Sequence, residues 1–158
     1  IGGVKFDAAI MEHIRRMYNL AIGERTAEEI KITVGSAMYL EEKLTMEVKG
    51  RDMITGLPKI LEVSSDDVTQ AIQPLLEGIL TTMKEVLYKT PPELSADVMD
   101  KGIVLSGGSS QLRNLDRLIA EATGVPTYVA EEPQMAVARG TGLALENLDA
   151  YKRSVFTN

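Results

Sequence analysis

The residues best suited to binding chemistry lie in a strand–glycine–helix pattern in the last third of the chain. An apolar run over 102–106 leads through Gly107 and Gly108 into an amphipathic pattern that includes Leu112 and Leu115. Glycines have no side chain, and the first N–H groups of a helix have no partner within it, so a ligand can approach this backbone closely. Such a junction suits a nucleotide. The same pattern also occurs in tight turns that bind nothing, so both interpretations stay open.

A second candidate pair is Glu28 and Lys31, which share one face of a predicted helix because they are three residues apart. They could form a solvated surface ion pair, and the spacing alone favours this interpretation. Alternatively, the carboxylate could accept hydrogen bonds from ribose hydroxyls while the aliphatic stem of the lysine packs on a base.

Composition excludes several classes of function. The chain has 158 residues, a formal charge of −6, no tryptophan and two phenylalanines. It therefore has neither the basic charge nor the aromatic platform of a nucleic-acid-binding protein. With no cysteine and a single histidine, His13, it cannot build a disulfide or a cysteine- or histidine-rich metal site. We expect His13 to be exposed beside Glu12 and Arg15. We also expect a cytoplasmic location. No membrane segment is expected, because no apolar run approaches about 20 residues.

The first part of the chain has the pattern of a small α+β unit. An amphipathic helix is predicted over 6–20, and a second helix is predicted to begin at a capping box of Thr26 and Glu29. Alternating residues over 44–49 and an apolar run over 59–63 predict a hairpin joined by a loop. The predicted buried positions of the two helices are Phe6, Ile10, Ile14, Met17, Ala21, Ala27, Ile30, Val34 and Ala37.

The second part alternates helices and strands, as in an α/β layered unit with parallel strands. Ser64 to Asp67 are predicted to cap a long helix, with a kink or a break into two abutting helices near Gln73, because Pro74 lies inside it. The remaining predicted elements are a helical turn over 93–100, strands over 102–106 and 127–130, a helix from the glycines to a C-cap at Gly124, and a last helix over 134–149.

Several segments together resemble the C-terminal half of the MreB family of bacterial actin homologues, which control rod shape. The resemblance covers essentially the whole chain, with the segments in order and at matching intervals. They are IGG and FD within 1–7, IGERTAEEIK at 22–31, GSA at 35–37, GRD at 50–52, TGLP at 55–58, TPPELSAD at 90–97, GIVLSGG at 102–108, AEEP at 130–133 and GTG at 140–142.

The resemblance implies an α/β fold, half of an actin-like (ribonuclease-H-like) ATPase whose two large domains close over ATP. An outer α+β subdomain would span 4–67, an inner subdomain with the cleft side and a hinge helix 68–150, and a tail 151–158. Because the chain opens on Ile1 rather than methionine, we expect a piece of a larger protein.

The family's purine- and ribose-contacting segments map onto two stretches of this chain. The resemblance thus favours the binding interpretation of Glu28 and Lys31. One departure is that Ser109 and Ser110 stand where the family usually has a third glycine and an apolar residue, a form closer to actins and chaperone ATPases. The implied nucleotide-binding residues are Glu28, Glu29, Ile30, Lys31, Gly107, Gly108, Ser109, Ser110 and Gln111.

The implied cofactor is ATP or ADP, with magnesium in the intact protein. The family's phosphate loops, magnesium aspartate and water-positioning glutamate would precede Ile1, so this chain alone is expected not to hydrolyse ATP. Implied partners are the N-terminal domain, further subunits in a filament, and the cell-shape and wall-synthesis machinery, at the inner face of the membrane. The 38–58 region, with Tyr39 and Ile54, is the expected longitudinal contact.

Two alternatives remain. The chain could be a protein-interaction module of the same fold, in which the glycine turn only shapes the backbone. It could also be half of a sugar or glycerol kinase of the same superfamily, which the TPPEL segment at 90–94 and the MreB-type intervals disfavour.

Overall fold

The computed structural model of the protein describes residues 2–148. Its α-helices are α1 (Gly3–Tyr18), α2 (Glu24–Val34), α3 (Ser65–Lys89), α4 (Pro92–Lys101), α5 (Leu115–Thr123) and α6 (Ala136–Glu146). Its strands are β1 (Leu20–Ala21), β2 (Thr45–Asp52), β3 (Pro58–Ser64), β4 (Ile103–Leu105) and β5 (Thr127–Val129), and a 3-10 turn covers Gly108–Gln111.

The core lies where α1, α2 and α3 pack together. Most of the residues predicted for it are buried, because they recur at helical spacing on one face of each helix. Met17 and Ala21 are exceptions: Met17 is exposed, and Ala21 is only half-buried and lies in β1, because α1 ends at Tyr18 rather than at residue 20. The continuous cluster includes Phe6, Ile10, Ile14, Ala27, Ile30, Val34, Val68, Ile72 and Leu76, together with Leu112, Leu115 and Ile119 from the later part of the chain.

A three-stranded antiparallel sheet, in the order β1-β2-β3, flanks these helices. The predicted hairpin is confirmed, and its strands pair from Thr45 opposite Ser64 to Arg51 opposite Pro58. The connection is shorter than predicted because the Asp52 carboxylate accepts hydrogen bonds from the N–H groups of Ile54 and Thr55. Hydrogen bonds from the Thr55 and Ile54 N–H groups are the main reason that the pKa of Asp52 falls to about 2.

A second sheet pairs β4 with β5 in parallel, with Ile103 opposite Thr127. This arrangement confirms the parallel strands predicted for the second half. Gly124 ends α5 with a φ of 73°, in the left-handed region that glycine adopts without strain.

The predicted starts of α2 and α5 are wrong, and of the kink or break predicted within α3 the break is excluded. Gly23 in extended conformation precedes α2, so Thr26 lies inside its first turn and forms no capping box. The long helix α3 runs without a break from Ser65 to Lys89, with Pro74 inside it. The glycines lead into the 3-10 turn rather than directly into α5, which begins only at Leu115.

The prediction that His13 is exposed is also wrong. Its side chain is 5% exposed, and its Nε2 lies 3.8 Å from Asp67 Oδ1. Burial lowers the pKa of His13. Tyr18 donates a 2.6 Å hydrogen bond to the same Asp67 oxygen, and that bond is the main cause that raises the pKa of Tyr18 to about 12.

Several large apolar side chains remain exposed in two regions. In the 38–58 region, Tyr39 and Ile54 are exposed, whereas Met38 and Leu40 are half-buried. In the last helix, α6 has no buried residue, and Val137 and Leu145 are exposed. The predicted tail over 151–158 lies outside the described residues. Among the helices that are described, none has the length and apolar character needed to cross a membrane.

Candidate functional site

A cavity of about 810 Å³ opens where the start of α1, the exposed face of α2 and the 3-10 turn meet. The 3-10 turn is positioned by its connection to the core through Leu112 and Leu115, which are buried. The cavity is lined by Gly3, Val4, Phe6, Asp7, Glu28, Lys31, Ile32, Gly35, Gly108, Ser109, Gln111, Leu112, Arg113 and Gln134.

Five of the nine predicted site residues line this cavity: Glu28, Lys31, Gly108, Ser109 and Gln111. The two sequence segments that the resemblance paired, some 80 residues apart, therefore do face one another. The surface ion pair considered for Glu28 and Lys31 does not form, because Lys31 contacts Asp7 instead.

The other four predicted residues lie beside the cavity. Ile30 is fully buried in the core, as expected from its place between two cavity-facing residues on a helix. Glu29 borders an adjoining, shallow depression on α2, which shares Glu28 and Ile32 with the cavity. Gly107 and Ser110 belong to the glycine turn but do not line the cavity.

The glycine turn has a defined hydrogen-bonding arrangement. Gly107 has a φ of 85°, which favours glycine, and its N–H donates to Pro133 O at 2.7 Å. The hydroxyl of Ser110, at one of the two positions that depart from the family pattern, donates to Gly107 O at 2.7 Å. Among the described residues, the N–H groups of Gly108 and Ser109 have no backbone acceptor. The turn therefore keeps two main-chain donors at the cavity wall.

Asp7 is a cavity residue that the sequence analysis missed. Its Oδ1 lies 2.8 Å from Lys31 Nζ, and the two side chains are 12% and 16% exposed. This short contact is an ion pair between two largely buried groups. The available signal was the segment FD at 6–7, which is among those that carry the family resemblance.

Gln134 and Arg113 were missed as well. Gln134 donates from Nε2 to Gln111 Oε1 at 3.0 Å, which joins the segment before α6 to the 3-10 turn. Arg113 donates from Nη1 to Gly35 O at 3.2 Å and so joins the turn to the end of α2. These contacts connect elements that are distant in sequence, and no local pattern indicates them.

The lining has two acidic and two basic side chains: Asp7 and Glu28, Lys31 and Arg113. Its formal charges cancel, so it does not concentrate positive charge as a phosphate site would. Carboxylate acceptors, main-chain donors and the stem of Lys31 together suit a polar, largely uncharged group with a flat apolar face, such as a nucleoside.

Comparison with known proteins gives one consistent result. The MreB/Mbl protein family matches residues 1–153. The chain is 46% identical over 149 residues to the cell shape-determining protein Mbl of Bacillus cereus, covering 94% of this chain and 45% of that protein. It is 45% identical over 157 residues to the cell shape-determining protein MreB of Escherichia coli, covering 99% of this chain and 45% of that protein.

Among solved structures, the crystal structure of MreB5 of Spiroplasma citri bound to ADP is similar with a TM-score of 0.90 and 34% identity. That match covers 94% of this chain and 45% of the other. The chain thus spans slightly less than half the length of the relatives it matches. The match over nearly its whole length, in sequence and in fold, shows that the chain belongs to the MreB/Mbl family of actin-like, cell shape-determining proteins.

Proposed function

We propose that this chain forms the adenosine-binding side of the nucleotide cleft of an MreB-like protein. The observation that carries the proposal is the convergence of Glu28 and Lys31 from α2 with Gly108, Ser109 and Gln111 from the 3-10 turn on one cavity. Its volume of about 810 Å³ is within the usual range for a small-molecule site, roughly 300–1,000 Å³.

Each group has a role that its chemistry supports. The Glu28 carboxylate accepts hydrogen bonds from the ribose hydroxyls. The stem of Lys31 packs against one face of the base, and the backbone at Gly108 approaches the other, because no side chain intervenes. The Ser109 hydroxyl and the amide of Gln111 supply polar contacts at the edge of the base.

The similarity to an ADP-bound MreB5 supports a nucleotide as the ligand. The balanced charge of the lining fits the adenosine part better than the phosphates. We propose that the phosphate and magnesium contacts come from the part of a longer protein that this chain does not contain. Phosphoryl transfer needs those contacts to stabilise its developing charge, so the chain alone would bind nucleotide without hydrolysing it.

In that longer protein, ATP binding would accompany assembly into filaments that direct rod shape at the cytoplasmic face of the membrane, with the wall-synthesis machinery as partner. The exposed Tyr39 and Ile54 would form part of a longitudinal contact between subunits. The division into an outer subdomain over 4–67 and an inner one over 68–150 belongs to this proposal.

Isothermal titration of the 158-residue chain with ADP tests the binding proposal. We expect saturable binding, and we expect Glu28→Ala to weaken it about tenfold or more, since a hydrogen bond to a charged group contributes roughly 1.5–3 kcal/mol. Glu85→Ala, which removes an exposed carboxylate of α3 outside the cavity, is the matched control and should leave the affinity unchanged.

Glu29→Ala refines the test, because Glu29 is adjacent in sequence to Glu28 but does not line the cavity. Its effect should be less than about twofold. An absence of ADP binding by the folded wild-type chain would contradict the proposal and favour a protein-interaction module. Equal weakening by Glu28→Ala and Glu85→Ala would place the nucleotide elsewhere.

A further inference from the structure

We propose that Asp7 is a positioning residue for nucleotide binding, which holds the Lys31 side chain along the cavity wall where its stem can pack against the base. The inference rests on the proposed function and adds a residue of α1 to it. The evidence is the geometry around the Lys31 ammonium group.

The Lys31 ammonium group lies against α1 rather than in solvent. Its 2.8 Å contact with Asp7 joins α2 to α1, and both side chains are largely buried. The ion pair fixes the position of the ammonium group, and since that group has three donors, the donors not directed at Asp7 are available to a ligand.

Gly3 leaves the space that this arrangement needs. A Cβ added at Gly3 would lie 3.3 Å from Lys31 Nζ and 3.6 Å from Ser109 Oγ. The ammonium group therefore lies at the point where α1, α2 and the 3-10 turn meet, next to one of the predicted base-contacting residues. Gly3 and Asp7 occupy successive turns of the same face of α1, and the Lys31 ammonium group lies against both.

Without these contacts, the Lys31 side chain would not be held in one position. Its four-carbon stem has high rotamer entropy, and its ammonium group is strongly hydrated, so it tends to extend into water. Glu28, three residues earlier on α2, would also become available as its ion-pair partner. That pairing would remove both groups from the ligand, whereas the contact with Asp7 keeps Glu28 free for the ribose.

A double-mutant cycle on ADP affinity tests the inference. Asp7→Asn keeps the shape of the side chain and removes its charge, and we expect it to weaken ADP binding about tenfold, within the range of couplings between contacting residues. In a Lys31→Met background, the same substitution should change the affinity less than about twofold. A residue needed only for the fold would weaken binding equally in both backgrounds.

Glu12→Gln is the matched control, because Glu12 is an exposed carboxylate on α1 that pairs with Arg15 outside the cavity. It should leave ADP affinity unchanged. Circular dichroism verifies that each variant is folded, and Asp7→Ser repeats the cycle if the Asn variant is not. Asp7→Glu, which restores the carboxylate, should recover part of the affinity.

The outcomes separate this inference from the proposed function. If the folded wild-type chain does not bind ADP, the proposed function fails. If the wild-type chain binds ADP but Asp7→Asn has no effect, or has the same effect with and without Lys31, nucleotide binding stands and the positioning role of Asp7 is overturned.

Discussion

At the scale of single residues, His13 shows how helical phase outweighs the identity of neighbouring residues. Glu12 and Arg15 pair with each other on the solvent side of α1. His13 lies three residues after Ile10 and seven after Phe6, which places it on the buried face. The helical spacing therefore indicates that His13 is buried, whereas its charged neighbours suggested that it is exposed.

The burial of His13 predicts how stability depends on pH. Its environment contains the Asp67 carboxylate and Tyr18 hydroxyl, with Arg16 on its own helix, and burial is the largest of the effects that lower its pKa. As pH falls below about 6.5, the unfolded chain takes up a proton that the folded chain resists. The unfolded state then binds more protons, so the free energy of unfolding should fall between pH 7 and pH 5.

His13→Gln removes this titration, so the free energy of unfolding of the variant should change less over the same interval. Urea denaturation at pH 7 and pH 5 measures it, and His13 is the only histidine in the chain. Asp67 does not interfere: although burial acts to raise its pKa, hydrogen bonds from Ser64 and Tyr18 lower it overall, so its proton uptake occurs at lower pH. An unchanged pH dependence in His13→Gln would refute this explanation.

At the scale of elements, the start of α3 depends on a local motif. Ser64 accepts a hydrogen bond from Asp67 N, and the Asp67 carboxylate accepts one from Ser64 N, so the two satisfy donors that the helix leaves unpaired. We expect Ser64→Ala to reduce the free energy of unfolding by about 1 kcal/mol. Thermal or urea denaturation measures the change.

Thr81→Ala is a control on the same helix, since the exposed Thr81 hydroxyl bonds only to the Glu77 carbonyl one turn earlier. Its effect should stay within about 0.5 kcal/mol. Equal losses for the two variants would mean that the motif at Ser64 contributes nothing special to α3.

Some elements could be predicted because local sequence patterns determine them, and others could not. The hairpin, α3 and the parallel strands follow from periodicity and turn chemistry within each segment, and the structure confirms them. The start of α2 did not follow, because Thr26 and Glu29 match a capping box although the helix has already begun at Glu24. The helix begins after Gly23, which is extended and makes no side-chain capping hydrogen bond, so no capping motif marks the observed start.

The residues of the candidate site also differ in whether local sequence patterns indicate them. Glu28, Lys31 and the glycine turn were identified from local spacing together with the family resemblance. Asp7, Arg113 and Gln134 were not, because their contacts join α1 to α2, the turn to the end of α2, and the segment before α6 to the turn. Such contacts arise only when the three-dimensional fold brings distant segments together.

At the scale of the whole molecule, the proposed ligand site and the proposed contact between subunits are formed by different residues. The cavity lies between α2 and the 3-10 turn, whereas Ile54 is exposed in the β2–β3 turn and Tyr39 in the segment that follows α2. The two regions share no lining residue. A ligand at the cavity should therefore affect the first region and leave the second unchanged.

The most direct test of the central claim is an NMR titration of the isotope-labelled chain with ADP. We expect the backbone amide signals of Lys31, Gly108 and Ser109 to shift progressively and to saturate with a common dissociation constant. Those of Tyr39 and Ile54 should not move. Saturating shifts confined to other surfaces, or no shift at Gly108 and Ser109 at any ADP concentration, would contradict the claim that this cavity is the nucleotide site.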